Sequence, residues 1–217
     1  MLECGIDEAG RGPIIGPMVI AGVLIDDADL PELEKIGVKD SKLIFNHHMK
    51  KYADKIITVV KKYKIIIVPP EEIDAALRHP SLNLNWLEAL KAVEIIDALK
   101  PERAIIDSPS PNIPAFQNYL EKKLSHHPKE LICAHKADAK YLTVGAASIL
   151  AKNTREEEVA KIKNFIGIDF GSGYPSDPKT KRFAKDYHEQ FPEFFRKSWQ
   201  PYKDIINGKK QKKLGEY

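Results

Sequence analysis

The sequence predicts an α/β fold with a central mixed sheet. Two apolar runs, Leu2 to Asp7 and Met18 to Ile25, flank a glycine-rich turn and read as antiparallel neighbours. Three further short apolar runs alternate with stretches of helical spacing, the pattern of strands joined by helical crossovers. A long helical stretch and several short aromatic and basic segments complete the chain.

Each later element has a local signal. Phe45 to Val60 has helical spacing, and Ile65-Ile66-Ile67-Val68 reads as a buried strand stopped by Pro69-Pro70. Pro70 suits the first turn of a helix over Glu71 to Leu77. Leu84, Leu87, Leu90, Val93 and Leu99 recur at helical spacing, with Asn83 or Asn85 as the cap. Ala104-Ile105-Ile106 is a short strand with Asp107 at its end, and Leu131-Ile132-Cys133-Ala134 is a fifth. Asn112 to Leu124 and Tyr141 to Asn164 read as helices, Gly167 to Pro175 as a loop. Asp177-Pro178 is an N-cap followed by proline at the first helical position.

Composition narrows the function classes. The 217 residues suit one generous domain, and 43% hydrophobic with 30% charged residues excludes a disordered chain. The longest uncharged stretch, Gly12 to Ile25, is broken by Pro13, Gly16, Pro17 and Gly22 and is too short for a membrane span. Cys4 and Cys133 alone make neither a disulfide framework nor a zinc site, and Met1-Leu2-Glu3 lacks the basic start of a signal peptide, so a cytoplasmic protein is expected. The net charge of +3 is unevenly spread: residues 178–217 hold 11 basic and five acidic side chains, while the remainder is slightly acidic. That asymmetry fits a polyanionic partner, or a solvated charged tail.

The chemistry centres on acids at strand ends. Asp7-Glu8 follows the first strand, Asp107 closes another, and Asp138 lies just after the fifth. In open α/β sheets, ligands gather outside the carboxyl ends of the parallel strands. Neighbours in a regular strand face opposite ways, so Asp7 and Glu8 share a site only if the strand ends or bends there. A single acid at a strand end is often a turn former or cap, but an adjacent, partly buried pair repels itself unless a cation intervenes. Hard oxygen donors of this kind suit Mg²⁺ or Mn²⁺.

Asp7-Glu8-Ala9-Gly10-Arg11-Gly12-Pro13 resembles the signature of ribonuclease HII, the type 2 ribonuclease H family. In the family's order follow Asp40-Ser41-Lys42, Ile105-Ile106-Asp107, His135-Lys136-Ala137-Asp138, Ala146-Ala147-Ser148-Ile149-Leu150-Ala151-Lys152 and Gly171-Ser172-Gly173-Tyr174-Pro175-Ser176-Asp177, the last two most similar to archaeal members. The resemblance implies a ribonuclease H-like fold: a central five-stranded mixed sheet flanked by helices, with a helical C-terminal region. The chain reads as a ribonuclease H-like catalytic domain over 1–177, a helical subdomain over 178–207 and, because it is too poor in apolar residues to pack firmly, a flexible basic tail over 208–217. The resemblance makes Asp7, Glu8, Asp107 and Asp138 the catalytic, metal-binding tetrad for two Mg²⁺ or Mn²⁺ ions. The implied reaction is hydrolysis of the RNA strand of RNA–DNA hybrids, and cutting 5′ of ribonucleotides embedded in duplex DNA, leaving 3′-hydroxyl and 5′-phosphate ends. Gly10, Arg11, Gly12, Lys42 and Tyr174 are the implied substrate contacts: the turn reads the ribonucleotide around its 2′-hydroxyl, and Tyr174 stacks on the next sugar. A ribonuclease of this kind is expected to be a monomer without a membrane partner.

Other residues receive plainer readings. The seven histidines are structural or solvated, Trp86 and Trp199 pack, and Lys136 and Lys152 are surface lysines or phosphate contacts. Phe191, Phe194, Phe195, Trp199 and Tyr202, interleaved with Arg196, Lys197 and Lys203, form a helical apolar stripe or a duplex-facing surface. Gln211, Leu214 and Tyr217 occupy positions one, four and seven of a short segment that resembles a sliding-clamp binding motif, with one terminal aromatic instead of two.

Overall fold

The structure, a computed structural model, describes residues 1–38 and 46–208. Lys42, Gln211, Leu214 and Tyr217 lie outside the described residues. Five strands, β1 (Leu2–Ala9), β2 (Met18–Asp26), β3 (Lys62–Val68), β4 (Arg103–Asp107) and β5 (Glu130–Ala134), form one sheet in the order β3-β2-β1-β4-β5. β1, β2 and β3 pair antiparallel; β1, β4 and β5 pair parallel, so the carboxyl ends of the last three lie at one edge. The expected mixed five-stranded sheet is therefore present. The expected end of the first strand is displaced: β1 runs on through Glu8↔Ile20 and Ala9↔Val19, so both acids lie within a regular ladder.

The helices are α1 (Leu30–Ile36), α2 (Asn46–Val59), α3 (Pro70–Arg78), α4 (Leu84–Leu99), α5 (Ile113–Glu121), α6 (Leu142–Ile166), α7 (Pro178–Tyr187) and α8 (Gln200–Ile206). Capping explains several starts. Asn83 Oδ1 accepts from Trp86 N at 3.0 Å, Asn112 Oδ1 from Ala115 N at 3.1 Å and Asp177 Oδ1 from Lys179 N at 2.9 Å. Pro70 and Pro178 occupy first turns, where no amide partner is lost. The short helix α1 had no clear periodic signal, because its seven residues bury only Leu33.

The two faces of the sheet carry separate cores. Cys4, Ile6, Ile20, Leu24 and Ile106 pack with α4 and α5, while Val19, Ala21, Val23 and Ile25 pack with α2 and α6. A third core joins Ile14 and Ile15 of the glycine-rich turn to the far end of α6 and to Phe170, Phe183, Phe195 and Tyr202. The C-terminal aromatics thus form an apolar core: Phe183 stacks near Tyr187, Phe191 and Phe195. Trp86 stacks on Tyr119 with ring centroids 4.3 Å apart.

Gly5 sets the distance between β1 and α6. A Cβ at this position would lie 2.2 Å from the Thr143 carbonyl carbon and 2.3 Å from Val144 N. Backbone atoms cannot swing aside, so a methyl group must push the helix off the sheet. Gly5→Ala is expected to lower unfolding stability by about 3 kcal/mol, read from the urea midpoint; a loss under about 1 kcal/mol would mean that the helix shifts freely.

Candidate active site at the carboxyl edge of the sheet

The acids gather where β1 passes the ends of β4 and β5. Odd residues of β1 face α6 and even residues face α4, so Asp7 and Glu8 straddle the sheet. Both still line one small cleft, together with Asp107, Glu88 and the apolar Ile6, Ile106 and Phe116. Asp7 is only 6% exposed. Its Oδ1 accepts from Glu8 N at 2.8 Å. The buried Ser148 hydroxyl of α6 lies near enough to favour the charged form of Asp7 without closing a hydrogen bond to it.

Asp138 is brought in from the other side of the edge. It sits in a single 3₁₀ turn, Ala137–Ala139, entered through Lys136 in a left-handed conformation (φ 55°). Such a conformation is costly for a residue with a side chain and is held here by its surroundings. Ala137 N donates to Asp107 Oδ1 at 2.8 Å, which ties the turn to the end of β4. Asp138 is half-buried and does not line the cleft that contains Asp7, Glu8 and Asp107.

The charge balance of this cleft is unfavourable. Burial, then the charges of Glu8 and Asp107, hold the Asp7 carboxyl well above the usual carboxylate range. Burial, then Glu88 and Asp107, push Glu8 up to about 7, with Arg11 opposing. Glu88 is also pushed up to about 7 by burial, although Arg11 draws it down. Clustered acids of raised pKa are what a cation would relieve. Among the described residues no three His, Cys, Asp or Glu side chains form a preassembled cage. The donor set is nevertheless all carboxylate oxygen, and Mg²⁺ keeps several waters or substrate oxygens in its shell rather than requiring a full protein cage. The residues fit a hard divalent ion on that ground.

Glu88 was not singled out from sequence. It lies on α4 among apolar residues, and its position gave no hint that it faces a turn 77 residues earlier. It pairs with Arg11 through both carboxylate oxygens, and Asn85 Oδ1 accepts from Arg11 Nη2 at 2.6 Å. The Arg11 side chain is thus anchored on α4 while keeping 34% of its surface exposed.

Gly10 is in the left-handed region (φ 81°), and a Cβ there would lie 2.7 Å from Arg155 Cδ. Gly12 backs onto Tyr174, whose Cε1 would be 3.3 Å from an added Cβ. Tyr174 is 38% exposed, and its ring lies 5.2 Å from the Arg155 guanidinium carbon. The Tyr174 loop is held to the turn by Ile14 N donating to Gly173 O at 2.8 Å, and Thr180 Oγ1 accepts from Gly173 N at 3.0 Å. The turn and Tyr174 therefore share one wall. Lys136 is exposed and Lys152 half-buried. Arg196 departs from both readings of the aromatic stripe: it is fully buried beneath the turn.

No helix among the described residues is long and apolar enough to cross a membrane. A family model described as Ribonuclease HII matches residues 4–202. Ribonuclease HII of Pyrococcus furiosus is 44% identical over 214 residues, covering 96% of this chain and 93% of the relative. The crystal structure of ribonuclease H2 from Pyrococcus horikoshii OT3 superposes with a TM-score of 0.87 at 39% identity, covering 96% and 98% of the two chains. The RNase HII of a PCNA:RNase HII complex from Archaeoglobus fulgidus superposes with a TM-score of 0.83 at 37% identity, covering 99% and 100%. With the sheet order, the acidic edge and the glycine turn all in place, these matches assign the chain to the ribonuclease HII family, and it is a nuclease of the phosphodiester hydrolase class.

Proposed function

We propose that the chain hydrolyses the RNA strand of RNA–DNA hybrids and cuts 5′ of ribonucleotides embedded in duplex DNA, leaving 3′-hydroxyl and 5′-phosphate ends. The observation that carries this reading is the Gly10-Arg11-Gly12 turn, which packs against Tyr174 at Gly12 and is joined to the acidic cleft through Arg11 on Glu88. Only RNA presents a 2′-hydroxyl, and a turn with no obstructing side chain lets main-chain groups approach it. A rigid aromatic beside that turn suits stacking on the next sugar.

Asp7, Glu8, Asp107 and Asp138 are the residues that would hold the divalent ions, Mg²⁺ or Mn²⁺, two per site. When bound, such a pair supplies activation of the attacking water and charge stabilisation at the leaving 3′ oxygen. The protein's own part is to hold the acids at the sheet edge, where strand pairing and the Ala137–Asp107 hydrogen bond fix them. Glu88 and Asn85 restrain Arg11, and Arg155 backs Tyr174, so the substrate wall is rigid before binding.

For the tail, we propose a sliding clamp as partner through Gln211, Leu214 and Tyr217. The support is the motif spacing and the assembly of the Archaeoglobus fulgidus relative with PCNA. A chain truncated after Gly208 is expected to lose clamp binding in a pull-down or titration while keeping nuclease activity. Equal binding by both chains would remove this proposal.

The assay for the main proposal is a DNA duplex with one ribonucleotide, incubated with Mg²⁺ or Mn²⁺ beside an all-DNA control. Cleavage at the 5′ side of the ribonucleotide is expected, and no cut with either metal would overturn the reading. Asp7→Asn is expected to lower the rate by at least about 10³-fold, the scale of losing an essential group, with an unchanged circular dichroism spectrum. Tyr174→Ala is expected to slow cleavage at a single ribonucleotide by about tenfold while leaving Mg²⁺ dependence unchanged; an unaltered rate would dismiss the stacking role.

Metal should also act on stability. Asp7 and Glu8 have folded pKa values above their unfolded ones, so their contribution to stability is fully present below the unfolded values and is lost as pH rises through the folded ones, about 7 for Glu8. The rise in unfolding temperature on adding Mg²⁺ to chelator-treated protein should therefore grow from pH 5 to pH 8. A rise that is constant or shrinks over that interval would speak against cation binding at these acids.

A further inference from the structure

Arg196 is a charged side chain with no surface, 0% exposed in the segment between α7 and α8. Its fork reaches back some 180 residues to the glycine-rich turn. Nη2 donates to Gly10 O at 2.7 Å, Nη1 to Arg11 O at 3.0 Å and Nε to Gly16 O at 3.1 Å. Burial pushes the guanidinium down to about 9, still charged at neutral pH. Burying a guanidinium is expensive, and a large apolar residue would fill the same volume more cheaply. A purely packing role does not account for it.

Peptide planarity supplies the role. In a trans peptide the carbonyl and the following N–H point in opposite directions. Arg196 draws the carbonyls of Gly10 and Arg11 inward. The amides of Arg11 and Gly12 belong to those same two peptide planes, so they are turned outward, side by side, away from the buried guanidinium. Two successive amides pointing one way form a concavity for an oxygen acceptor. Gly12 has Tyr174 against it, so this concavity opens on the proposed substrate wall.

We propose that Arg196 is a positioning residue for ribonucleotide selection, orienting the Arg11 and Gly12 amides toward the 2′-hydroxyl oxygen. The inference rests on the ribonucleotide reading above and names the group that sets it. Arg196 is itself held from behind. Asp74 of α3, buried, accepts from Lys197 N at 2.8 Å and from Ser198 N at 2.9 Å, which anchors the two residues after it. The Arg196 amide donates to Ile14 O at 3.0 Å, and Gly16 N donates to Phe194 O at 2.9 Å, so the two segments are also laced through their backbones. Lysine keeps the charge but has no planar fork and cannot hold two adjacent carbonyls in fixed directions.

The test compares the wild type with Arg196→Lys and Asp74→Asn, the second leaving the guanidinium intact while loosening its anchor. Dissociation constants are measured in chelator, so nothing is cut, for a duplex with one ribonucleotide and for its all-DNA counterpart; kcat and KM on the ribonucleotide duplex are then measured with Mg²⁺. Arg196→Lys is expected to lose at least tenfold of the preference for the ribonucleotide duplex, with all-DNA binding changed less than twofold, and to lower kcat/KM by at least as much. Asp74→Asn should shift the same ratio in the same direction by a smaller factor. A general structural defect would weaken both duplexes alike, and that result overturns the proposal. So does a preference within twofold of wild type in both folded variants. If Arg196→Lys does not fold, the Asp74→Asn ratio decides. A wild type that neither prefers nor cuts the ribonucleotide duplex refutes the functional reading itself, whereas a selective wild type with unaltered variants refutes only the assignment of Arg196.

Discussion

Helix α6 lies against β1 with no room for a side chain at Gly5, and most of the molecule is arranged around that contact. The helix runs 25 residues, about 38 Å at 1.5 Å per residue. Its first turns cover the sheet face that carries Asp7 and bring Ser148 beside that acid. A Cβ at Gly145 would lie 3.1 Å from Asp138 O and 3.2 Å from Val38 O, so the turn carrying Asp138 also packs tightly on the helix, with more room than at Gly5. Its later turns contribute Val159 and Ile162 to the core of the C-terminal region, and Arg155 to the back of Tyr174. One helix thus links the acids to Tyr174, since Ser148 and Arg155 lie two turns, about 10 Å, apart on it.

Two charge problems sit on either side of the glycine turn. On one side, acids are crowded into a cleft too dry to ionise them all comfortably. On the other, Arg196 is buried under the turn and satisfied by carbonyls. Arg11 connects them, with its side chain on Glu88 and its carbonyl on Arg196. Neither arrangement is what stability alone would select, since buried charges cost more than they return unless fully partnered. Such strain concentrated around one turn is common where a protein prepares a surface for a ligand.

The net charge of +3 hides an uneven distribution of charge over the chain. Four of the body's acids, Asp7, Glu8, Glu88 and Asp107, are gathered at a cleft suited to divalent cations, which would reverse the local sign. The basic C-terminal segment divides its charges: Arg196 is withdrawn into the interior, while Lys179 is exposed and joined to Asp169. Among the described residues, Lys181, Arg182 and Lys185 of α7, Lys197 beyond it and Lys203 of α8 are also exposed.

Much was legible from sequence because its causes are local. Alternation and apolar runs marked all five strands, proline and asparagine marked helix starts, and the acids at strand ends stood out against apolar neighbours. The ordered motifs identified the family. What stayed hidden depends on contacts between distant segments. That β1 continues through Asp7 and Glu8 follows from pairing with β2, whose register no local pattern near Gly10 announces. Glu88 drew no reading from sequence, since its role depends on α4 meeting Arg11 of the turn. Arg196 read as part of an aromatic stripe, because nothing in its own neighbourhood reports three carbonyls 180 and more residues away. The sequence determined which chemistry this protein carries; the tertiary structure decided which way the turn's main-chain groups face, because peptide orientation is set by partners that only folding brings together.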